Sequence, residues 1–206
     1  KKIIIKYKIY LIIPCSDEEA LILAKNRNLI ENLKTKIFVD NYNLLKTLSS
    51  KVKTYKLLKD FSKYVPQYYL CKNFKDMNLG IKKILKKNKF FVIKPAEASR
   101  GGKNVCVIEN TKRNYKKYFN NDREIHTSLF IFQNDIKKTY KKLFPLIVME
   151  RLFQPTYDLD ILAKKGKMIQ CVSRHRIDPM VPNNGHIVFE DPNFYNFAKK
   201  LSNSLL

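Results

Sequence analysis

The chain has 206 residues, 45% hydrophobic and 29% charged, with only 5 Gly and 8 Pro. That length buries most of the unfolded surface in one large domain or two small ones, and the composition excludes global disorder and fibrous repeats. Lys and Arg number 41 against 18 Asp and Glu, a net charge of +23 that favours polyanionic partners.

The first residues, Lys1-Lys2-Ile3-Ile4-Ile5, have a basic flank but neither a sustained apolar core nor a small-residue cleavage site. No Met opens the chain, as expected of a fragment or a processed product. Residues 9–13 predict a strand of nearly unbroken apolar character, of the kind found in parallel sheets buried on both faces. Pro14 ends it, and Ser16 or Asp17 caps a helix over 18–32 in which Ala20, Leu21, Ala24, Leu29 and Ile30 recur at helical spacing. A strand over 37–39 and helices over 42–48 and 54–63 complete a β-α-β-α order, consistent with part of a Rossmann-like layer.

Past Pro66 the pattern changes. Residues 68–70 read as extended, and 77–87 as a helix with a strongly basic outer face. Strands over 90–94 and 104–108 flank a loop holding the only Gly-Gly pair, which makes a hairpin with a long, flexible tip. Residues 110–118 and 136–144 supply Lys-rich helix or loop. An apolar strand over 146–150 ends in an acid. The strand over 157–163 puts Asp158 and Asp160 on one face, and 164–167 turns the chain. The returning strand over 168–174 puts Arg174 and Arg176 on a common face if it continues, with His175 pointing away. An amphipathic helix over 193–206 closes the sequence.

The cysteines, Cys15, Cys71, Cys106 and Cys171, are widely spaced and never form CxxC, which argues against a thiolate metal site and for a reduced, cytosolic compartment. His126 and His186 have no ligand-spaced partners, so no metal ligand is assigned. No apolar run approaches the ~20 residues that span a bilayer. The lysine excess travels with Asn, Ile, Tyr and Phe while Trp is absent, a bias expected to spread charge over every solvated face. Without a zinc-finger spacing, RNP segment, KH loop or basic zipper, nucleic acid is disfavoured as the principal substrate.

Two segments suggest chemistry. In Phe90-Phe91-Val92-Ile93-Lys94-Pro95, followed by Ser99-Arg100-Gly101-Gly102-Lys103-Asn104-Val105, a strand-end ammonium and a small-residue loop can meet the same phosphates. Walker spacing is absent, and an ordinary hairpin with a basic tip fits the same residues. In Leu146-Ile147-Val148-Met149-Glu150-Arg151-Leu152, an apolar strand ending in a polar hinge can grip a flat base, or can be a plain core strand. Asp160, flanked by Leu159 and Ile161, is satisfied by a local hydrogen bond or faces a cleft. Arg174 and Arg176 suit bidentate recognition of carboxylate or phosphate.

Taken in order, these segments resemble the ATP-grasp superfamily, most closely its carbamoyl-phosphate-synthase-like members, over nearly the whole chain. The resemblance implies an α/β (α+β) fold fragment: a partial Rossmann-like subdomain over 1–64, the small ATP-grasp subdomain with its nucleotide loop over 65–145, and the start of the C-terminal subdomain over 146–206. It implies that Lys51 and Lys94 approach ATP phosphates and that Ser99, Gly101 and Gly102 fold over them, with Val105 beside them. Glu150 and the backbone of Leu152 would contact adenine, Asp160 falls on the acid of the next strand, and Arg174 and Arg176 would stabilise the reacting intermediate. The implied activity is ATP-dependent activation of a small carboxylate as an acyl phosphate for attack by an amine or similar nucleophile, in the cytoplasm, with no membrane partner and a homo-oligomer allowed. Mg²⁺ is implied as well, its acidic ligands expected beyond residue 206, so that this stretch alone is expected to be inactive. Ser50 stands where the family commonly has Asp, Gln154 where it has Gly, and Thr156 where it has a ribose-holding acid. The alternatives are a degenerate nucleotide-binding protein without catalysis and a basic domain that binds polyanions.

Overall fold

A computed structural model describes residues 1–97, 103–119, 124–178 and 184–205. The chain divides into two compact units, Lys1–Lys56 and Leu57–Leu206. The sequence reading placed its first boundary after residue 64.

The first unit holds α1 (Lys2–Tyr7), β1 (Leu11–Ile12), α2 (Asp17–Lys25), α3 (Arg27–Glu31), β2 (Lys36–Ile37), α4 (Tyr42–Leu48) and most of α5 (Lys51–Leu57). Ser16 caps α2 by accepting the Glu19 N–H at 3.2 Å, and Asn41 caps α4 through the Leu44 N–H at 2.7 Å. The single helix expected over 18–32 breaks at Asn26, whose side-chain amide donates to the Ile22 carbonyl at 2.9 Å and competes with the backbone ladder. β1 and β2 pair in parallel, with Ile12 opposite Ile37. The expectation of a doubly buried strand over 9–13 fails: only Leu11 and Ile12 form strand, and Tyr10, Leu11 and Ile13 are exposed. An apolar run becomes a buried strand only where layers cover both of its faces.

In the second unit a 3₁₀ turn (Lys59–Tyr64) leads to β3 (Tyr68–Cys71), α6 (Phe74–Leu85), β4 (Phe90–Pro95), β5 (Val105–Glu109), β6 (Lys116–Phe119) and β7 (Glu124–Ser128). A helical stretch follows, α7 (Leu129–Ile131) running through a π turn (Phe132–Ile136) and a 3₁₀ turn (Lys137–Leu143) to β8 (Leu146–Glu150). These strands form one sheet in the order β3-β8-β4-β5-β7-β6. All neighbours are antiparallel except β5 and β7. Expecting only helix or loop over 110–118 was therefore incorrect, because β6 begins at Lys116 and pairs with β7. Thr127 Oγ1 and the Ser128 N–H both donate to the Tyr115 carbonyl, at 2.9 and 3.1 Å, and hold that hairpin closed.

The core lies on one face of this sheet. Phe91 and Ile93 of β4, Cys106 and Ile108 of β5, and Leu146 and Val148 of β8 alternate onto it and are all fully buried. α6 covers them with Met77, Ile81 and Ile84, and Phe132, Ile136 and Tyr140 complete the cluster. Asn73 caps α6 through the Asp76 N–H at 2.9 Å. Gly80 lets this helix approach closely: a Cβ there would stand 3.2 Å from the Tyr69 Cβ and 3.4 Å from the Val148 Cβ.

A second, three-stranded antiparallel sheet contains β9 (Tyr157–Lys164), β10 (Lys167–Arg176) and β11 (His186–Phe189), with β10 in the middle. The two residues joining β9 to β10, Lys165 and Gly166, have φ of 49° and 74°, the left-handed pair that a two-residue hairpin turn requires. On α8 (Pro192–Ser204), Phe194 meets the Tyr157 and Phe189 rings at 5.0 and 5.6 Å, and Phe197 meets Phe61 and Tyr64 at 5.5 and 4.6 Å. Asp191 caps α8 through the Asn193 N–H at 2.7 Å, and Pro192 opens it.

Replacing Phe91, which is wholly buried, by Ala is expected to lower the unfolding free energy by about 3–5 kcal/mol in urea titrations. Leu79→Ala on the exposed side of α6 is expected to change it by about 0.5 kcal/mol or less.

Candidate functional site

β4 runs between β8 and β5, so its side chains divide strictly between two faces. Phe91 and Ile93 take the α6 side, which sends Val92 and Lys94 to the other. Lys94 is level with Ile147 of β8, and Val92 with Met149 of β8 and Val107 of β5. Val105, one register step beyond the Ile93–Cys106 pair, stands beside Lys94 on that face. Ile147, Met149 and Val107 are buried and Lys94 is half-buried. A lysine rising from an aliphatic row, on strands locked by their neighbours, suits an anion carried by a flat apolar group.

The same face continues onto β7, which the sequence reading did not foresee. Glu124 is level with Val105 and His126 with Val107. The His126 Nε2 pairs directly with Glu124 Oε1, and Phe119 packs on the imidazole with ring centroids 4.4 Å apart. Alternation through Ile125 and Thr127, both β-branched, was the available signal; the brevity of the segment concealed it.

Other residues expected at the site are placed as follows. Lys51 opens α5 in the first unit. Ser99, Gly101 and Gly102 lie outside the described residues. Glu150 is level with Phe91, which puts it on the α6 side of the sheet, away from Lys94. Its Oε1 accepts the Gln67 N–H at 2.7 Å while its own N–H donates to the Gln67 carbonyl at 3.0 Å. The Glu150 carboxylate therefore ties the end of β8 to the chain entering β3, and it does not meet Lys94 on one face. Leu152 is 63% exposed. Next to it, the Arg151 guanidinium lies 5.7 Å from the Phe90 ring and 5.6 Å from the Phe153 ring, which meet edge-on at 5.8 Å. These cation–π contacts anchor the segment that leaves β8.

The acids and arginines expected on the next two strands do come together. Arg176 donates from Nε and Nη2 to the two carboxylate oxygens of Asp158, at 2.7 and 2.8 Å. His186 of β11 approaches the same carboxylate at 3.2 Å, a partner absent from the sequence reading because β11 was not foreseen. Arg174 Nη2 donates to Asp160 Oδ1 at 2.9 Å; its Nε is 2.7 Å from Oδ2 but is not aligned to donate, so one arm carries that pair. Of the two roles open to Asp160 in the sequence, a hydrogen bond or a place facing a cleft, the structure shows the bond to Arg174. His175 alternates to the other face, 5.4 Å from the Tyr157 ring. The Arg176 guanidinium holds the Asp158 carboxyl below the usual carboxylate range, with His186 and Arg174 adding to the effect and partial burial opposing it.

Burial pushes the Cys71 thiol up to about 11 and the Cys106 thiol up to about 12, so neither is a nucleophile at neutral pH. Among the described residues no group of three or more His, Cys, Asp or Glu could hold a metal ion, and no helix is long and apolar enough to cross a membrane.

No protein-family model and no curated protein sequence matches the chain. Solved structures do. A biotin carboxylase domain dimer of Hydrogenobacter thermophilus 2-oxoglutarate carboxylase, in complex with MgADP, ADP and bicarbonate, superposes with a TM-score of 0.58 at 13% identity, covering 99% of this chain and 43% of that one. D-alanine–D-alanine ligase from Bacillus anthracis superposes with a TM-score of 0.51 at 14% identity, covering 87% and 54%. The chain thus spans about half the length of each. At these identities the likeness is one of fold: a mixed α/β, ATP-grasp-like architecture with open sheets.

The Asp158–Arg176 pair makes stability depend on acid. Because the folded carboxyl titrates below its unfolded value of about 4, the pair's contribution is complete above that pH and is lost as pH falls through the folded value. Asp158→Asn is expected to flatten the fall in urea midpoint between about pH 6 and pH 3. An unchanged slope would show that other carboxylates carry the acid sensitivity.

Proposed function

We propose that the protein to which this chain belongs is an ATP-dependent ligase of the ATP-grasp type. It would activate a small carboxylate as an acyl phosphate for attack by an amine or similar nucleophile. The observation that carries this reading is the placement of Lys94 beside Val105, Val92 and the buried Ile147–Met149 row, on the sheet face opposite α6, in an ATP-grasp-like fold.

In this reading Lys94 holds phosphate oxygens. Val105 and the aliphatic row face the base. With both the carboxylate and the N–H of Glu150 engaged on Gln67, recognition of the base edge falls to the backbone of Leu152. Arg174 and Arg176 steady the charge that develops as phosphate passes to the carboxylate. A guanidinium has five N–H donors, and Asp158 takes two from Arg176, so an incoming anion finds donors left over. Asp160 and Asp158 then orient the forks before the anion arrives. Bound ATP supplies the phosphoryl group. The described residues offer no carboxylate cluster that fits Mg²⁺, and the two neighbouring acids are held by arginines, so no step is assigned to the metal.

A second reading, nucleotide binding without catalysis, draws support from the segment between β8 and β9. There Thr156 Oγ1 donates to Gln154 Oε1 at 2.9 Å, so two of the three residues that depart from the family pattern bond to each other. Calorimetric titration with ATP should show saturable binding, weakened about tenfold or more in Lys94→Met, since losing a charged partner to phosphate removes about 1.5–3 kcal/mol. Affinity unchanged by Lys94→Met would overturn both readings. Binding without formation of ADP, when the full-length protein is given candidate carboxylates and amines, would favour the second.

A further inference from the structure

The lysine excess is not spread evenly. Eleven of the 41 Lys and Arg residues fall within residues 72–89 and 137–142, where the only acid is Asp76. Asp76 is already occupied: its Oδ2 accepts the Lys72 N–H at 2.9 Å. These two segments lie side by side on the α6 side of the six-stranded sheet. Both contribute to the same core, through Met77, Ile81 and Ile84 from one and Tyr140 from the other. Lys137 clasps them together, donating to Asn78 Oδ1 at 3.0 Å and lying 5.6 Å from the Phe74 ring.

Lys75 and Lys82 of α6 and Lys86 at its C-cap recur along one face with Leu79 between them, and Lys83, with Lys72 just before the N-cap, flanks the row. Lys138, Lys141 and Lys142 extend the surface on the neighbouring turn. All eight are exposed, and among the described residues none of them makes an ion pair. At ~1.5 Å rise per residue the row on α6 sets ammonium groups ~6–10 Å apart over nearly 20 Å. That is a rigid, linear array of one sign, where a solvated helix face would ordinarily interleave acids.

We infer that this face is a docking surface for the phosphate backbone of a nucleic acid, bound without regard to sequence. A repeating line of phosphates matches a repeating line of lysines, and the array has no arginine fork or exposed aromatic row with which to read bases. An anionic bilayer is the weaker match: the apolar side of α6 is consumed by the core, which leaves only Leu79 for insertion. The surface lies across the sheet from Lys94, so its occupancy is independent of nucleotide binding at that lysine.

The test is fluorescence anisotropy with a short labelled mixed-sequence DNA duplex over about 50–200 mM salt. The wild type is compared with a quadruple variant, Lys75→Gln, Lys82→Gln, Lys83→Gln and Lys86→Gln. A charge-matched control carries Lys164→Gln, Lys167→Gln, Lys199→Gln and Lys200→Gln, all at exposed positions. The α6 variant is expected to bind about tenfold or more weakly and to lower the salt slope by about 3 to 4, one phosphate contact per lysine. The control is expected to stay within about threefold, and both are expected to keep the wild-type response to ATP. Equal losses in the two variants would reduce the effect to undirected net charge and overturn the proposal. So would tighter binding to phosphatidylserine–phosphatidylcholine vesicles than to the duplex, or no duplex binding at the lowest salt. If the quadruple variant fails to fold by circular dichroism, Lys82→Gln with Lys86→Gln carries the same test at about half the change in slope.

Discussion

The pairing of β4 with β8 on one side and β5 on the other governs much of what this molecule can do. A strand in mid-sheet cannot rotate, and its side chains must alternate. Burial of Phe91 and Ile93 beneath α6 therefore forces Lys94 to the opposite face. Sliding β4 by one residue would drive an ammonium into a fully apolar core and turn two large hydrophobes outward, so the register is as firmly held as the core itself. The lysine gains its direction from the register of the strand that carries it.

Charge is handled differently in each part of the second unit. On the small sheet, Asp158 and Asp160 face Arg174 and Arg176 across a strand pair, and each guanidinium is oriented by a carboxylate. On the large sheet, His126 and Glu124 satisfy each other at its far side. On α6 and the neighbouring 3₁₀ turn, lysines face water with Asp76 as the one acid among them. The first two arrangements are closed and directional, whereas the third is open and long-ranged, with reach set by the Debye length of about 8 Å at physiological salt.

Much of this was legible in the sequence where one physical signal dominated. β4, β8 and the β9–β10 hairpin are long or strongly apolar, and period-two spacing alone puts Asp158 with Asp160 and Arg174 with Arg176. What escaped were elements whose stability comes from neighbours. β6 reads Lys-Lys-Tyr-Phe and has no alternation of its own; it is a strand because β7 pairs with it. β11 is four residues long, and so His186 was not connected with Asp158. Residues 9–13 show the opposite error, since composition promised a covered strand and no covering layers are present among the described residues. For Glu150 the sequence offers only the family resemblance of its segment. Only the register shows that its carboxylate turns to Gln67, a hydrogen bond spanning 83 residues that no local pattern encodes.

Gly80 has a consequence beyond close packing. A Cβ there would stand only 3.2 Å from the Tyr69 Cβ, so the helix rests directly on the strands. Any bulk at that position would press on Tyr69 and Val148, which would have to give by a few tenths of an ångström to admit it. The smallest residue of the helix thus sets how deeply a lysine-rich cylinder is seated in the sheet beneath it.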